Sequence, residues 1–222
     1  MELLDRVDAM IGERHLLRHS FYRKWLEGTL TVEGLREYAR QYHAFESSFP
    51  RFLSALHSRS ERADVRAALL DNLWDEEHGD ANHRELWLRF AEGIGVGRDD
   101  VTGAEPNEAT RALLENYWSA ATTAPVGAGV AAVYAYERQV PEVARAKADG
   151  LRDRYGVDDP RTLAFFETHA VLDVEHSDAE RWMVSELGAG VESDVLKATE
   201  AALDAWWSFL DAVDVPQEQP AA

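Results

Sequence analysis

His169-Ala170-Val171-Leu172-Asp173-Val174-Glu175-His176 sits inside a long run of helical spacing, residues 159–187. Asp158, Asp159 and Pro160 suit the N-cap and first turn of that helix. At about 100° per residue, Asp173 projects about 40° from His169, and His176 about 20° away on the other side. The three polar side chains therefore share one narrow stripe, with Val171, Leu172 and Val174 between them. Two imidazoles and a carboxylate so placed form a metal-ligand pattern, the plain alternative being a polar stripe facing solvent. The rise from His169 to His176 is about 10.5 Å in a straight helix. With metal–ligand bonds of about 2 Å, two ions a few ångströms apart fit that stripe better than one. Other helices must then supply the remaining ligands.

The rest of the chain is also helical in pattern. Leu3, Leu4, Val7, Met10 and Ile11 mark an amphipathic first helix. Residues 19–30 form a short second segment carrying Phe21, Tyr22 and Trp25. Thr31 caps a longer helix through Leu35, Tyr38, Ala39, Tyr42 and Phe45, which Pro50 should kink before Phe52, Leu53 and Leu56 continue it. Residues 62–78 are a helix interrupted at Gly79 and resumed over 82–93, after which Gly93, Gly95 and Gly97 make a loop. Residues 107–122 follow. Pro125, Gly127 and Gly129 open a long apolar helix to about Tyr155, bent near Pro141. After the His169 helix, residues 191–213 form the last one. No alternating period, linker or repeat is present. The spacing predicts an all-α, single-domain bundle of about seven helices over 1–213, with 214–222 a frayed, disordered tail.

Composition bounds the function. A formal net charge of −18 argues against nucleic acid or an anionic membrane as partner, since both require clustered Lys and Arg. No cysteine is present, which excludes disulfides and zinc–thiolate sites. Residues 1–11 mix acids with apolar residues and do not read as a signal peptide. No apolar run approaches the roughly 20 residues of a membrane span. A soluble, cytoplasmic protein is the expectation.

Two further segments offer metal donors. In Trp74-Asp75-Glu76-Glu77-His78-Gly79-Asp80-Ala81-Asn82-His83, Glu76 and His83 would face one side of a continuous helix, and a break at Gly79 shortens the distance between them. Asp80 and His83 are a competing pair, and the whole acidic run is open to being a solvated face. In Ala131-Ala132-Val133-Tyr134-Ala135-Tyr136-Glu137-Arg138-Gln139-Val140-Pro141, Glu137 is a carboxylate in an apolar helix. Bare burial would cost it several kcal/mol, so it needs a metal, or an ion pair with Arg138 or another arginine. Together Glu76, His83, Glu137, His169, Asp173 and His176 set three carboxylates against two divalent ions, leaving charge for hydroxide or a reduced-oxygen ligand. Oxygen and imidazole donors suit iron or manganese, although zinc or copper can bind in vitro.

Glu76-(six residues)-His83, then Glu137, then His169-xxx-Asp173-xx-His176 resembles the ligand pattern of the haem-oxygenase-like diiron oxidases. Asn82-His83-Arg84-Glu85-Leu86-Trp87-Leu88-Arg89-Phe90-Ala91 and Tyr134-Ala135-Tyr136-Glu137-Arg138-Gln139-Val140-Pro141 are most similar to the CADD-like branch. That branch is named for association with death domains and is tied to folate metabolism. The similarity runs from about residue 5 to residue 213. It implies a seven-helix haem-oxygenase-like fold, a homodimer, and two iron ions, or iron with manganese, that activate O2 with an external reductant. It also selects Glu76 over Asp80. The related TenA thiaminases use a cysteine nucleophile, which this chain lacks. The cofactorless pyrroloquinoline-quinone oxidases lack the full carboxylate set.

CADD-like proteins are implicated in making para-aminobenzoate from one of their own tyrosines, with a lysine of the same chain as nitrogen donor. By position, Tyr22 resembles the sacrificed tyrosine and Lys147 the donor, with Tyr38 and Tyr136 as accompanying aromatic residues. Phe165, one turn before His169, stands in place of a further family tyrosine. Spacing alone gives these roles less support. Tyr22 on an aromatic segment reads as core. Lys147 lies about 15 Å along the helix from Glu137 and reads as a surface lysine unless the Pro141 bend brings it in. Two alternatives remain: a diiron oxidase acting on an external small molecule such as a fatty acid or amino acid, and a non-enzymatic interaction protein with a relic ligand set.

Overall fold

The structure, a computed structural model, describes residues 2–214. Twelve α-helical segments succeed one another, with no strand among the described residues. They are α1 (Leu3–Glu13), α2 (Ser20–Glu27), α3 (Val32–Glu46), α4 (Phe49–Arg59), α5 (Ala63–Glu77) and α6 (His83–Gly93). The second half comprises α7 (Arg98–Thr102), α8 (Glu108–Thr122), α9 (Val126–Glu137), α10 (Val140–Tyr155), α11 (Pro160–Leu187) and α12 (Glu192–Val213). The all-α, single-domain expectation stands, and the count of seven is corrected. Two runs read as kinked are broken in two, at α3/α4 and α9/α10, the interruption expected at Gly79 separates α5 from α6, and the short α7 forms in the glycine-bounded loop. Of the expected tail, residues 215–222 lie outside the described residues. Asp214 is described, and its carboxylate accepts a 2.6 Å hydrogen bond from Lys24 Nζ.

Local chemistry sets the boundaries. Thr31 Oγ1 accepts from the Gly34 amide at 2.8 Å, Asn82 Oδ1 from Glu85 at 3.0 Å, and Asn107 Oδ1 from Thr110 at 2.8 Å. Asp159 does the same for Thr162 at 3.0 Å. Each N-cap satisfies an amide that has no partner within its helix. Pro50 and Pro141 occupy the first turns of α4 and α10, where the missing N–H costs nothing. The kinks predicted at these prolines are thus full breaks, lying just before each proline.

The interior is one continuous apolar and aromatic core. Helix α9 runs through it against α8, α11 and α12, and every residue of Gly127–Glu137 is buried. A helix apolar on all faces can only sit centrally. Glycine permits the contact: a Cβ on Gly129 would lie 2.6 Å from the Ala120 carbonyl oxygen and 2.5 Å from Leu56 Cδ2. No helix among the described residues is long and apolar enough to cross a membrane.

Candidate functional site

All six metal donors expected from sequence are buried. Their ligand atoms fall into two groups, each within 4.8 Å internally: Glu46, His83 and His169 in one, and Glu137, Asp173 and His176 in the other. The long α11 stripe is therefore divided, with His169 in the first group and Asp173 and His176 in the second. Glu76 adjoins the first group, its Oε1 2.9 Å from His83 Nδ1. This approach depends on the break after α5. In a straight helix the two residues would be about 10.5 Å apart along the axis. Gly79, at φ +84°, turns the chain back in a conformation that disfavours other L-residues. The competitor Asp80 is exposed, as is Glu77.

Outer hydrogen bonds orient the rings. His169 Nδ1–H donates to the Phe165 carbonyl oxygen at 2.7 Å, which leaves Nε2 as its lone-pair nitrogen. His176 Nε2–H donates to Asp75 Oδ2 at 3.1 Å, leaving Nδ1 for the second group. Asn72 Nδ2 donates to both oxygens of Glu137, at 3.1 and 3.0 Å. Glu137 has Asn72 as its partner, and the exposed Arg138 leaves it unpaired. Histidine ligands whose second nitrogen is held in this way have a fixed tautomer and ring orientation.

The donor set fits two cations. His83 Nδ1, His176 Nδ1, Asp173 Oδ1 and Glu46 Oε1 are buried with no hydrogen-bond partner among the described residues. The 2.9 Å Glu76–His83 approach lacks the alignment of a hydrogen bond. A buried polar atom left unpaired costs about 1–3 kcal/mol. Two such atoms in each group, from α3 and α6 in the first and from α11 in the second, call for a ligand at each. The charges respond accordingly. Burial works against a charged His83, but Glu76 outweighs it and raises His83 to about 9. Burial also opposes charge on His176, yet the Asp173 and Glu137 carboxylates raise it to about 9. Burial, then the neighbouring His83, hold His169 well below the usual imidazole range. Oxygen and imidazole donors without thiolate suit iron or manganese.

Glu46 was missing from the sequence-derived set, although a signal was present. It lies four residues after Tyr42 and eight after Tyr38, on the aromatic face of α3. A carboxylate on an apolar face is the same signal that singled out Glu137. It brings the carboxylates to four, so two divalent ions would be balanced without hydroxide. Asn72 and Asp75 carry no comparable signal, since one is neutral and the other stands in an acidic run.

A second cluster adjoins the first. Lys147 is buried, against its reading as a surface lysine. The break between α9 and α10 re-aims α10, so that Lys147 Nζ donates to Tyr38 Oη at 2.6 Å. The same Nζ lies 5.2 Å from the centroid of the Tyr22 ring, 5.0 Å from that of Tyr38 and 5.5 Å from that of Tyr42. Tyr22 and Tyr38 share a hydroxyl hydrogen bond at 3.2 Å. Burial brings the amine down to about 7, opposed by the Glu46 carboxylate. Burial pushes the Tyr22 phenol well above its usual range. Tyr136 joins these rings through Tyr42. Its hydroxyl bonds that of Tyr42, and its ring stacks on Trp206. Phe165 packs on His169 with centroids 4.0 Å apart.

Residues 36–207 match a family model described as iron-containing redox enzyme. Two proteins named 4-aminobenzoate synthase are similar over nearly the whole chain. That of Chlamydia trachomatis is 39% identical over 212 residues, covering 96% of this chain and 92% of its own. That of Nitrosomonas europaea is 40% identical over 220 residues, covering 94% and 89%. Among solved structures, a TenA homologue from Pseudomonas syringae superposes with a TM-score of 0.81 at 15% identity, covering 95% of this chain and 90% of the other. A CADD-like protein from Nostoc punctiforme gives 0.74 at 20% identity, covering 95% and 96%. At those identities the solved structures establish the fold, and the curated relatives carry the family. The chain belongs to the haem-oxygenase-like family of iron-containing redox enzymes, and is an oxygenase-type enzyme.

Proposed function

We propose that the chain makes para-aminobenzoate from its own Tyr22, with Lys147 as nitrogen donor and two iron ions held by Glu46, Glu76, His83, Glu137, His169, Asp173 and His176. The observation that carries this reading is the buried amine. A lysine brought down to about 7 is about half neutral near pH 7, and its Nζ lies 5.2 Å from the centroid of the Tyr22 ring it would attack. Iron and O2, with an external reductant, supply the oxidising equivalents. The product requires that the tyrosine Cα–Cβ bond break, that Cβ be oxidised to the carboxyl carbon, that the Lys147 nitrogen replace the phenolic oxygen, which leaves as water, and that the Lys147 Cε–Nζ bond break, leaving Cε as an aldehyde. The chain's own groups serve that conversion by position. Tyr38 holds both the Lys147 amine and the Tyr22 hydroxyl by hydrogen bonds. Burial keeps water from competing for the oxidised ring. Fixing amine and ring in one chain replaces a collision with an effective concentration of up to about 10⁵ M in ideal geometry.

The iron-loaded protein with reductant and O2 should release para-aminobenzoate without added substrate, at less than one turnover per chain. Tyr22→Phe should stop release while iron content stays at the wild-type level. Lys147→Ala should lose the nitrogen source and recover in part with added amine. Wild-type yield from Tyr22→Phe would sink the proposal. A second reading, oxidation of an external carboxylate, has one observation in its favour. A groove of about 260 Å³ beside Glu46 and Glu76 carries Arg84. It predicts repeated turnover with a carboxylate substrate and an unchanged chain.

A further inference from the structure

Glu180 belongs to neither donor group. It lies one turn beyond His176 and two beyond Asp173 on α11, so it shares their face. It is 1% exposed, and neither carboxylate oxygen has a hydrogen-bond partner among the described residues. The charges that bear on it are those of Glu137 and Asp173, both acidic. A bare buried carboxylate among other carboxylates is among the costliest groups a core can hold. Glu180 also lines a groove of about 190 Å³ between α5 and α11, with Asp71, Asp75, Glu175 and His176. Asp71 and Glu175 are exposed and Asp75 is half-buried. Acidic oxygens thus lead from solvent down to His176, with no Lys or Arg in the lining.

We propose that this groove is the route by which a divalent cation reaches Glu137, Asp173 and His176, and that Glu180 is a further ligand of the ion held there. The inference rests on the two-ion reading of the site. A cleft lined by one sign of charge concentrates counter-ions and speeds their association. Carboxylate oxygens along the way replace the water that a hard cation must shed.

The test uses the full chain stripped of metal and titrated with Co²⁺, whose visible absorption reports each ion bound. Stopped-flow mixing gives the loading rates. Wild type should take up two ions. Glu180→Gln should weaken and slow uptake of one of them by about tenfold or more, with Glu180→Asp recovering part of the loss. Asp71→Asn with Glu175→Gln should slow loading at low salt without changing final affinity, and the difference should shrink as salt screens it. Glu180→Gln filling both sites at wild-type rate and affinity overturns this inference alone. Wild type binding fewer than two ions overturns the two-ion reading itself. Should Glu180→Gln fail to fold, the surface pair still decides: unchanged loading overturns the route.

Discussion

Lys147 is where burial and chemistry meet. Its native pKa, about 7, lies below the ordinary value of 10.5. Between those values the unfolded chain binds a proton that the folded chain does not, so stability rises with pH across that window. The penalty is complete below about pH 7 and gone above about 10.5. Lys147→Met should therefore raise the melting temperature more at about pH 6 than at about pH 9.5, as scanning calorimetry can show. An equal gain at both would mean that the amine stays charged in the fold. Product release should likewise increase as pH rises through about 7 and the amine becomes neutral. Individual residues were unevenly legible in the sequence. Glu137 could be picked out because a carboxylate interrupts an apolar helix, and His169, Asp173 and His176 because their spacing sets them on one stripe. Glu46 meets the same criterion amid Tyr38, Tyr42 and Phe45. Lys147 could not be placed by spacing, since its position depends on how α10 is aimed after the break.

Breaks between helices do as much for the site as the helices do. Gly79 has φ +84° and open space around its Cα, so Gly79→Ala acts through the backbone alone. It should cost about 1–2 kcal/mol in chemical denaturation. It should also weaken metal binding at the Glu46–His83–His169 group by loosening the approach of Glu76 to His83. Unchanged affinity would show that the α5/α6 break plays no part in that geometry. Gly129→Ala presses on the Ala120 carbonyl and on Leu56. It should destabilise the fold by about 1–3 kcal/mol, measured by urea unfolding. Full stability would mean that α8 and α9 move apart freely. Helix positions followed from caps and apolar periodicity: Thr31 and Asp159 cap as the sequence reading has them, and Asn82 and Asn107, read as the first residues of their helices, are their caps. The number of segments did not follow, because a proline in a first turn is compatible with a kink or a full break. Tertiary packing decided for the break.

At the scale of the whole molecule, the core is organised around buried acids that oppose one another. Glu46, Glu137, Asp173 and Glu180 are each at most 4% exposed. Burial pushes Glu46, Asp173 and Glu180 upward, with Glu76 adding to the effect on Glu46 and Glu137 to that on Glu180. A cation that binds the folded chain alone stabilises it by mass action, about 2.7 kcal/mol at a hundredfold excess over Kd. Chelator-stripped protein should therefore melt below the Fe²⁺-loaded form under anaerobic conditions. Equal melting temperatures would place the ions outside this core.

The most direct measurement follows the ring of Tyr22 into the product. The chain is produced with ring-¹³C tyrosine, loaded with Fe²⁺, given a reductant and exposed to O2. The released para-aminobenzoate is weighed by mass spectrometry alongside the intact protein. The predicted result is fully ring-labelled product at less than one per chain, with a matching loss of mass that peptide mapping assigns to Tyr22. Unlabelled product, or many turnovers from a chain of unchanged mass, would contradict it and move the chemistry to an external substrate.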